Sequence, residues 1–131
     1  MDDYKVKNLE MIQGIISRMS NNSFMLKGWS ITLDIGIFSL NFYTTEKRIF
    51  LLLYIIIIIF WGLDSYYLKL ERQYRYLYNM CLNDEIDRFD LNIKGKSAEK
   101  EIGFYQCLFS KTEVIYYLSL ALTLTIVLIL K

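Results

Sequence analysis

Histidine is absent from this chain, and with it go the usual general base, the Ser-His and Cys-His nucleophile pairs and the commonest transition-metal ligand. Cysteine is scarce. Two residues, Cys81 and Cys107, cannot make a zinc site alone, and both fall in a stretch expected in the cytoplasm, where thiols stay reduced. Both are read as structural. There is no Gly-rich phosphate loop and no HExxH-type metal motif. No catalytic set, metal or cofactor is therefore expected, and an enzyme acting on lipid would lack its nucleophile. The first 23 residues open with Met1-Asp2-Asp3 and hold no compact apolar core, so no signal peptide is expected there. Charge of either sign is not in excess: Lys and Arg number 15 against 14 Asp and Glu, a net +1. Charge thus argues neither for a nucleic acid nor for an acidic partner.

What the chain does have is 54% hydrophobic residues beside 22% charged ones in a length of 131, and the two kinds are segregated. Residues 49–63 carry no charge and neither do residues 114–130, while most charged side chains lie between such runs. This is the pattern of an integral membrane protein. The expected fold is all-α, one membrane domain over residues 1–131 with three transmembrane helices.

Along the chain, Leu9, Ile12, Ile15, Ile16 and Met19 keep to helical spacing, which predicts an amphipathic helix over residues 4–22. Asn21-Asn22-Ser23, three short polar side chains that compete for backbone hydrogen bonds, is expected to interrupt it and cap the next helix. The same triplet is formally a glycosylation sequon, a chance match on a cytoplasmic segment. Residues 24–43 form the first expected span. It carries Asp34 near its middle, where a charge costs at least about 2.5 kcal/mol, so Asp34 must face protein or water. The second span begins after a polar link, and no Gly or Pro stops its helix after Asp64. Leu70, Tyr74, Leu77, Tyr78 and Cys81 continue an apolar stripe, so one helix is expected over residues 47–82, projecting beyond the bilayer as a stalk whose stripe needs a partner. Residues 83–110 read as a polar loop with short helical pieces, and residues 112–130 as the third span, anchored by Phe104, Tyr105 and Phe109. Four Lys and Arg precede Gly28 and eight lie between Asp64 and Lys111, against two in the first link and one at Lys131. That asymmetry places the N-terminus in the cytoplasm and the C-terminus outside, in a cell inner membrane.

Three features carry functional weight. Lys27, Ser30, Asp34 and Asn41 share one narrow face of the first span. Either Ser30, Asp34 and Asn41 line a water-filled path, which requires an oligomer with a ring of Asp34 carboxylates, or the stripe packs against Thr112, Ser119 and Thr123 of the third span. In an antiparallel hairpin, residues whose numbers sum to about 91 lie at equal depth, which pairs Lys27 with Asp64 and, further into the cytoplasm, Arg18 with Glu71; these four are the ion-pair and gating candidates. Lys69, Arg72, Arg75 and Tyr78, among further tyrosines, are candidates to hold a phosphate and stack a base, with lipid headgroups as the alternative occupant.

The stretches IQGIISRMSNNSFMLKGW (12–29), FWGLDSYYLKLERQYRYLYN (60–79) and FSKT (109–112) resemble a widespread family of small, mostly uncharacterised prokaryotic membrane proteins. The resemblance marks Arg18, Asn22, Ser23, Lys27, Trp29, Trp61, Asp64, Tyr67, Glu71, Arg72 and Tyr78 as motif positions, and Asp34 falls outside them. In size and layout the chain is also similar to channel-type effectors of bacterial anti-phage systems such as Hailong. That likeness implies a homo-oligomeric channel, a tetramer being one size it allows, gated by an oligonucleotide or nucleotide at the stalk. The expected function is accordingly a homo-oligomeric channel or membrane-depolarising effector gated by its cytoplasmic helices. Its rival is a non-conducting scaffold or adaptor that docks a soluble cytoplasmic partner.

Overall fold

The computed structural model describes residues 3–40, 46–83 and 102–130. These residues form four helices, α1 (Asp3–Leu40), α2 (Arg48–Leu82), the single-turn α3 (Phe104–Leu108) and α4 (Lys111–Leu130). Among the described residues there is no strand, and the fold is all-helical.

α1 and α2 form a long antiparallel hairpin. Its register comes from apolar positions spaced to meet across the pair: Leu9, Ile12 and Ile16 of α1 pack against Leu77 and Cys81 of α2, with Tyr74, Tyr76 and Tyr78 closing round them. The α2 stripe expected to need a partner finds it here, in the N-terminal half of α1. At the far end Phe38 and Phe50 meet edge to face with ring centroids 6.4 Å apart, and at the near end the Lys5 ammonium donates to the Leu82 carbonyl.

The break expected at Asn21-Asn22-Ser23 does not occur, and one helix of 38 residues runs through the triplet. The side chains that were to disrupt it are engaged elsewhere. Ser23 donates to Asp64 across the hairpin, and the Asn21 amide turns outward to the sulfur of Met25. With α2 offering a continuous partner, packing overrides the weak local preference of Asn and Ser. α2 itself, at 35 residues, matches the single long helix expected. The loop expected over residues 83–110 contains α3 at its end, and residues 84–101 lie outside the described residues.

α4 runs antiparallel to α2 and alongside the C-terminal half of α1. Tyr54 bonds to Thr125 at one end of the α2–α4 contact and Tyr117 to Asp64 at the other. Two helices, α2 and α4, are long and apolar enough to cross a membrane. Their aliphatic side chains lie outward: Leu51, Ile58, Leu122 and Ile129 are 65%, 64%, 62% and 77% exposed, a surface that suits an apolar solvent and not water.

Candidate functional site

Where the apolar layer meets the stalk, three helices bring charged side chains together in the interior. Asp64 of α2 and Glu113 of α4 are buried, and Lys27 of α1 reaches between them. Its ammonium lies 2.5 Å from Asp64 Oδ2 and 3.0 Å from Glu113 Oε1, and also donates to Ser23 Oγ at 3.2 Å. Asp64 collects two further donors, the Ser23 hydroxyl on Oδ1 and the Tyr117 hydroxyl on Oδ2 at 2.9 Å. Both oxygens of Asp64 thus meet donors from α1 or α4. Glu113 is served less well, since its Oε2 is buried with no partner.

Aromatic side chains seal the cluster. Tyr116 donates to the Lys27 carbonyl at 2.7 Å, and the Lys27 ammonium stands 5.7 Å from the centroid of its ring. Trp61 stacks on Tyr117 with the planes 15° apart while its indole N–H donates to the Leu108 carbonyl at 3.0 Å, which ties the α3–α4 corner to α2. One ammonium shared by two buried carboxylates is a lock between helices. Each charge is held by partners on other elements, so separating the helices strands a charge away from water.

The pairing of Lys27 with Asp64 was legible from the hairpin register. Glu113 and Tyr117 were not singled out from the sequence, although a lone carboxylate in the first turn of an apolar helix, at the depth of Lys27 and Asp64, was the available signal. Of the positions marked by the family resemblance, Ser23, Lys27, Asp64 and Trp61 meet here. Arg18 and Glu71 do not pair: Arg18 is exposed, and Glu71 Oε1 instead receives two bonds from Arg75, one turn along the same helix, at 3.2 and 2.9 Å.

The polar stripe of α1 turns toward α4. Ser30 is fully buried and donates to the Lys27 carbonyl, so within one chain it lines no water path; Asn41 lies outside the described residues. Asp34 borders a cleft of about 330 Å³ between α1 and α4, walled by Ile31, Ile35, Phe38, Leu120, Leu124 and Val127 with Thr123 beside it. Asp34 Oδ1 is buried there with no hydrogen-bond partner. Of the other α4 groups expected to face the stripe, Ser119 is exposed and donates to the Tyr116 carbonyl, and Thr112 is exposed.

Lys69, Arg72, Arg75 and Tyr78 do not converge. Steps of three residues turn a helix by about 60° each way round, so the four fan over half the circumference of α2. Arg72 points to α3, its guanidinium 3.9 Å from Cys107 Sγ. Arg75 lies on the α1 side, at a shallow groove with Gln13, Ser17, Ser20 and Asn21, and Tyr78 packs on the stalk core. Burial pushes the Cys107 thiol up from its ordinary range, an effect that Arg72 partly offsets. Among the described residues, no three His, Cys, Asp or Glu side chains gather in a way that would hold a metal ion. Comparison of the chain with protein-family models, with curated proteins and with solved structures finds no match.

Proposed function

We propose that the chain is a three-span inner-membrane protein, and that it is the subunit of a homo-oligomeric channel or membrane-depolarising effector gated through its cytoplasmic helical hairpin. The observation that carries this reading is continuity. α1 and α2 pass without a break from the stalk into the apolar layer, and Lys27, Asp64 and Glu113 join them to α4 at the boundary. A tilt imposed on the stalk by a ligand or partner is therefore transmitted to the spans, because packed helices move as rigid bodies between discrete arrangements. The C-terminal half of α1 is the first span, too polar to stand out by composition yet sheltered by α4 on its Lys27–Asp34 face. Of the two lining candidates among the described residues, Ser30 is buried and Asp34 borders the cleft between α1 and α4, so the reading rests on Asp34. A nucleotide or oligonucleotide trigger, suggested by the likeness in layout, would engage Arg75 and the α1 groove beside it, or Lys69 and Arg72 on the α3 side, but not all of these at once.

Ion flux through liposomes holding the purified protein tests the reading. Conductance is expected, reduced at least tenfold by Asp34→Leu. No flux under any condition, or flux indifferent to that substitution, overturns it. A non-conducting adaptor for a soluble cytoplasmic partner is the second reading, favoured by the inward turn of Lys27 to Glu113 of α4 and the burial of Ser30. A single copy per detergent particle would support it.

A further inference from the structure

The α1–α4 cleft is a second site, chemically unlike the ion cluster. It has a volume of about 330 Å³, at the lower end of the roughly 300–1,000 Å³ typical of small-molecule pockets. All its walls come from α1 and α4 and none from α2, so it lies between the first and third spans of the proposed layout. Asp34 sits two turns along α1 from Lys27, about 10 Å deeper into the apolar layer at 1.5 Å per residue.

The occupant has to satisfy Asp34 Oδ1, which is buried without a hydrogen-bond partner. A lipid acyl chain fits the walls and leaves the carboxylate bare, which is costly in an apolar medium. A magnesium or calcium ion demands about six or more oxygen ligands, and the cleft offers one carboxylate and the Thr123 hydroxyl, itself donating to the Ser119 carbonyl. A second copy of the chain brings no cation to this depth, because residues 28–43, 49–63 and 114–130 contain no Lys or Arg. An ammonium group carried on an apolar body supplies both the donor that Asp34 lacks and the hydrocarbon that suits the walls. We infer that the cleft between α1 and α4 binds a lipophilic amine from the bilayer, its ammonium on Asp34 and its hydrocarbon between Ile35 and Leu124.

The amine site shares Asp34 with the proposed channel but does not depend on conduction, and binding is measured apart from flux. The probes are 1-adamantylammonium and the neutral 1-adamantanol, titrated calorimetrically into the full chain in detergent micelles against matched micelle blanks. Saturable binding of the amine is expected, weakened at least tenfold by Asp34→Asn and also by Leu124→Trp, which fills the cleft and keeps the carboxylate. The alcohol is expected to bind at least tenfold more weakly than the amine, and equally to the parent and Asp34→Asn. Leu124→Trp also carries the test should Asp34→Asn fail to fold. The inference is overturned if the amine shows only micelle partition, if neither variant weakens it, or if the alcohol binds as tightly as the amine.

Discussion

Lys27 lies between two buried carboxylates, and the three single substitutions at this cluster should differ in a set order. Lys27→Met leaves Asp64 and Glu113 facing each other without a counter-charge, and a cost of about 3–5 kcal/mol is expected, the range for stranding one side of a buried pair. Asp64→Asn should cost less, since Glu113 Oε1 remains to hold the ammonium. Glu113→Gln keeps an acceptor for Lys27 and leaves the Lys27–Asp64 ion pair in place, so a change within about 1 kcal/mol is expected. Reversible unfolding in mixed micelles measures all three, and a Glu113→Gln loss as large as that of Lys27→Met would show that the cluster has been read wrongly. Cys107 gives a second test at this scale. Its thiol is fully buried and shifted upward by that burial, so the thiolate that alkylating reagents attack is scarce. Maleimide should label it at least tenfold more slowly in the folded protein than after denaturation, and the folded-state rate should climb only above the ordinary thiol range of pH. The sign for stability is the same: the neutral thiol is favoured in the folded state, so this contribution is present at neutral pH and fades as pH rises through the raised value.

At the scale of elements, α1 is where local sequence and tertiary structure part. Helical spacing predicted its N-terminal half and a membrane span over residues 24–43 its C-terminal half, and the triplet at residues 21–23 predicted a break between them. Polar side chains look like helix breakers when their only possible partners are local. Ser23 has a distant one in Asp64, and a hairpin contact between positions 41 residues apart is invisible to a local pattern. α2, by contrast, was legible end to end because a charge-free run passes directly into an apolar stripe. Glu113 stood out only as a lone carboxylate opening an apolar helix, and its partners lie in the helices opposite. The continuity of α1 can be tested from both directions. Asn22→Pro removes a helix bond and should kink α1 at a cost of about 3 kcal/mol, read out as a lost spin-label distance between stalk and span. Gly14→Ala, whose added methyl would meet nothing within 4 Å, should stabilise the stalk by about 0.5–1 kcal/mol. If Gly14→Ala destabilised the protein instead, another chain would have to occupy that face.

For the whole molecule, the ends of the helices sort into two sets, and the sorting makes a prediction about topology. The start of α1 lies beside the end of α2 through Lys5 and Leu82, and α4 begins at the level of Lys27 and Asp64 through Glu113. All three helix ends therefore sit on the side that carries most of the Lys and Arg among the described residues. The end of α1, the start of α2 and the end of α4 lie at the other pole, where Tyr54 meets Thr125. At about 1.5 Å per residue the 20 residues of α4 extend roughly 30 Å, the thickness of a bilayer's hydrocarbon core. The same length of α1 and α2 lies beside it, and the remainder of each projects as stalk. If all three rods cross one such layer, as proposed, the two termini fall on opposite sides of the membrane. With Cys81 and Cys107 replaced by serine, a cysteine at position 3 should react with a membrane-impermeant maleimide only in inverted vesicles, and one at position 131 only in intact spheroplasts. Labelling of both positions from the same side would mean that the C-terminal half of α1 lies along the surface, with only α2 and α4 crossing. In that case Asp34 would sit at the interface, and both the channel reading and the amine cleft would lose the apolar depth on which they rely.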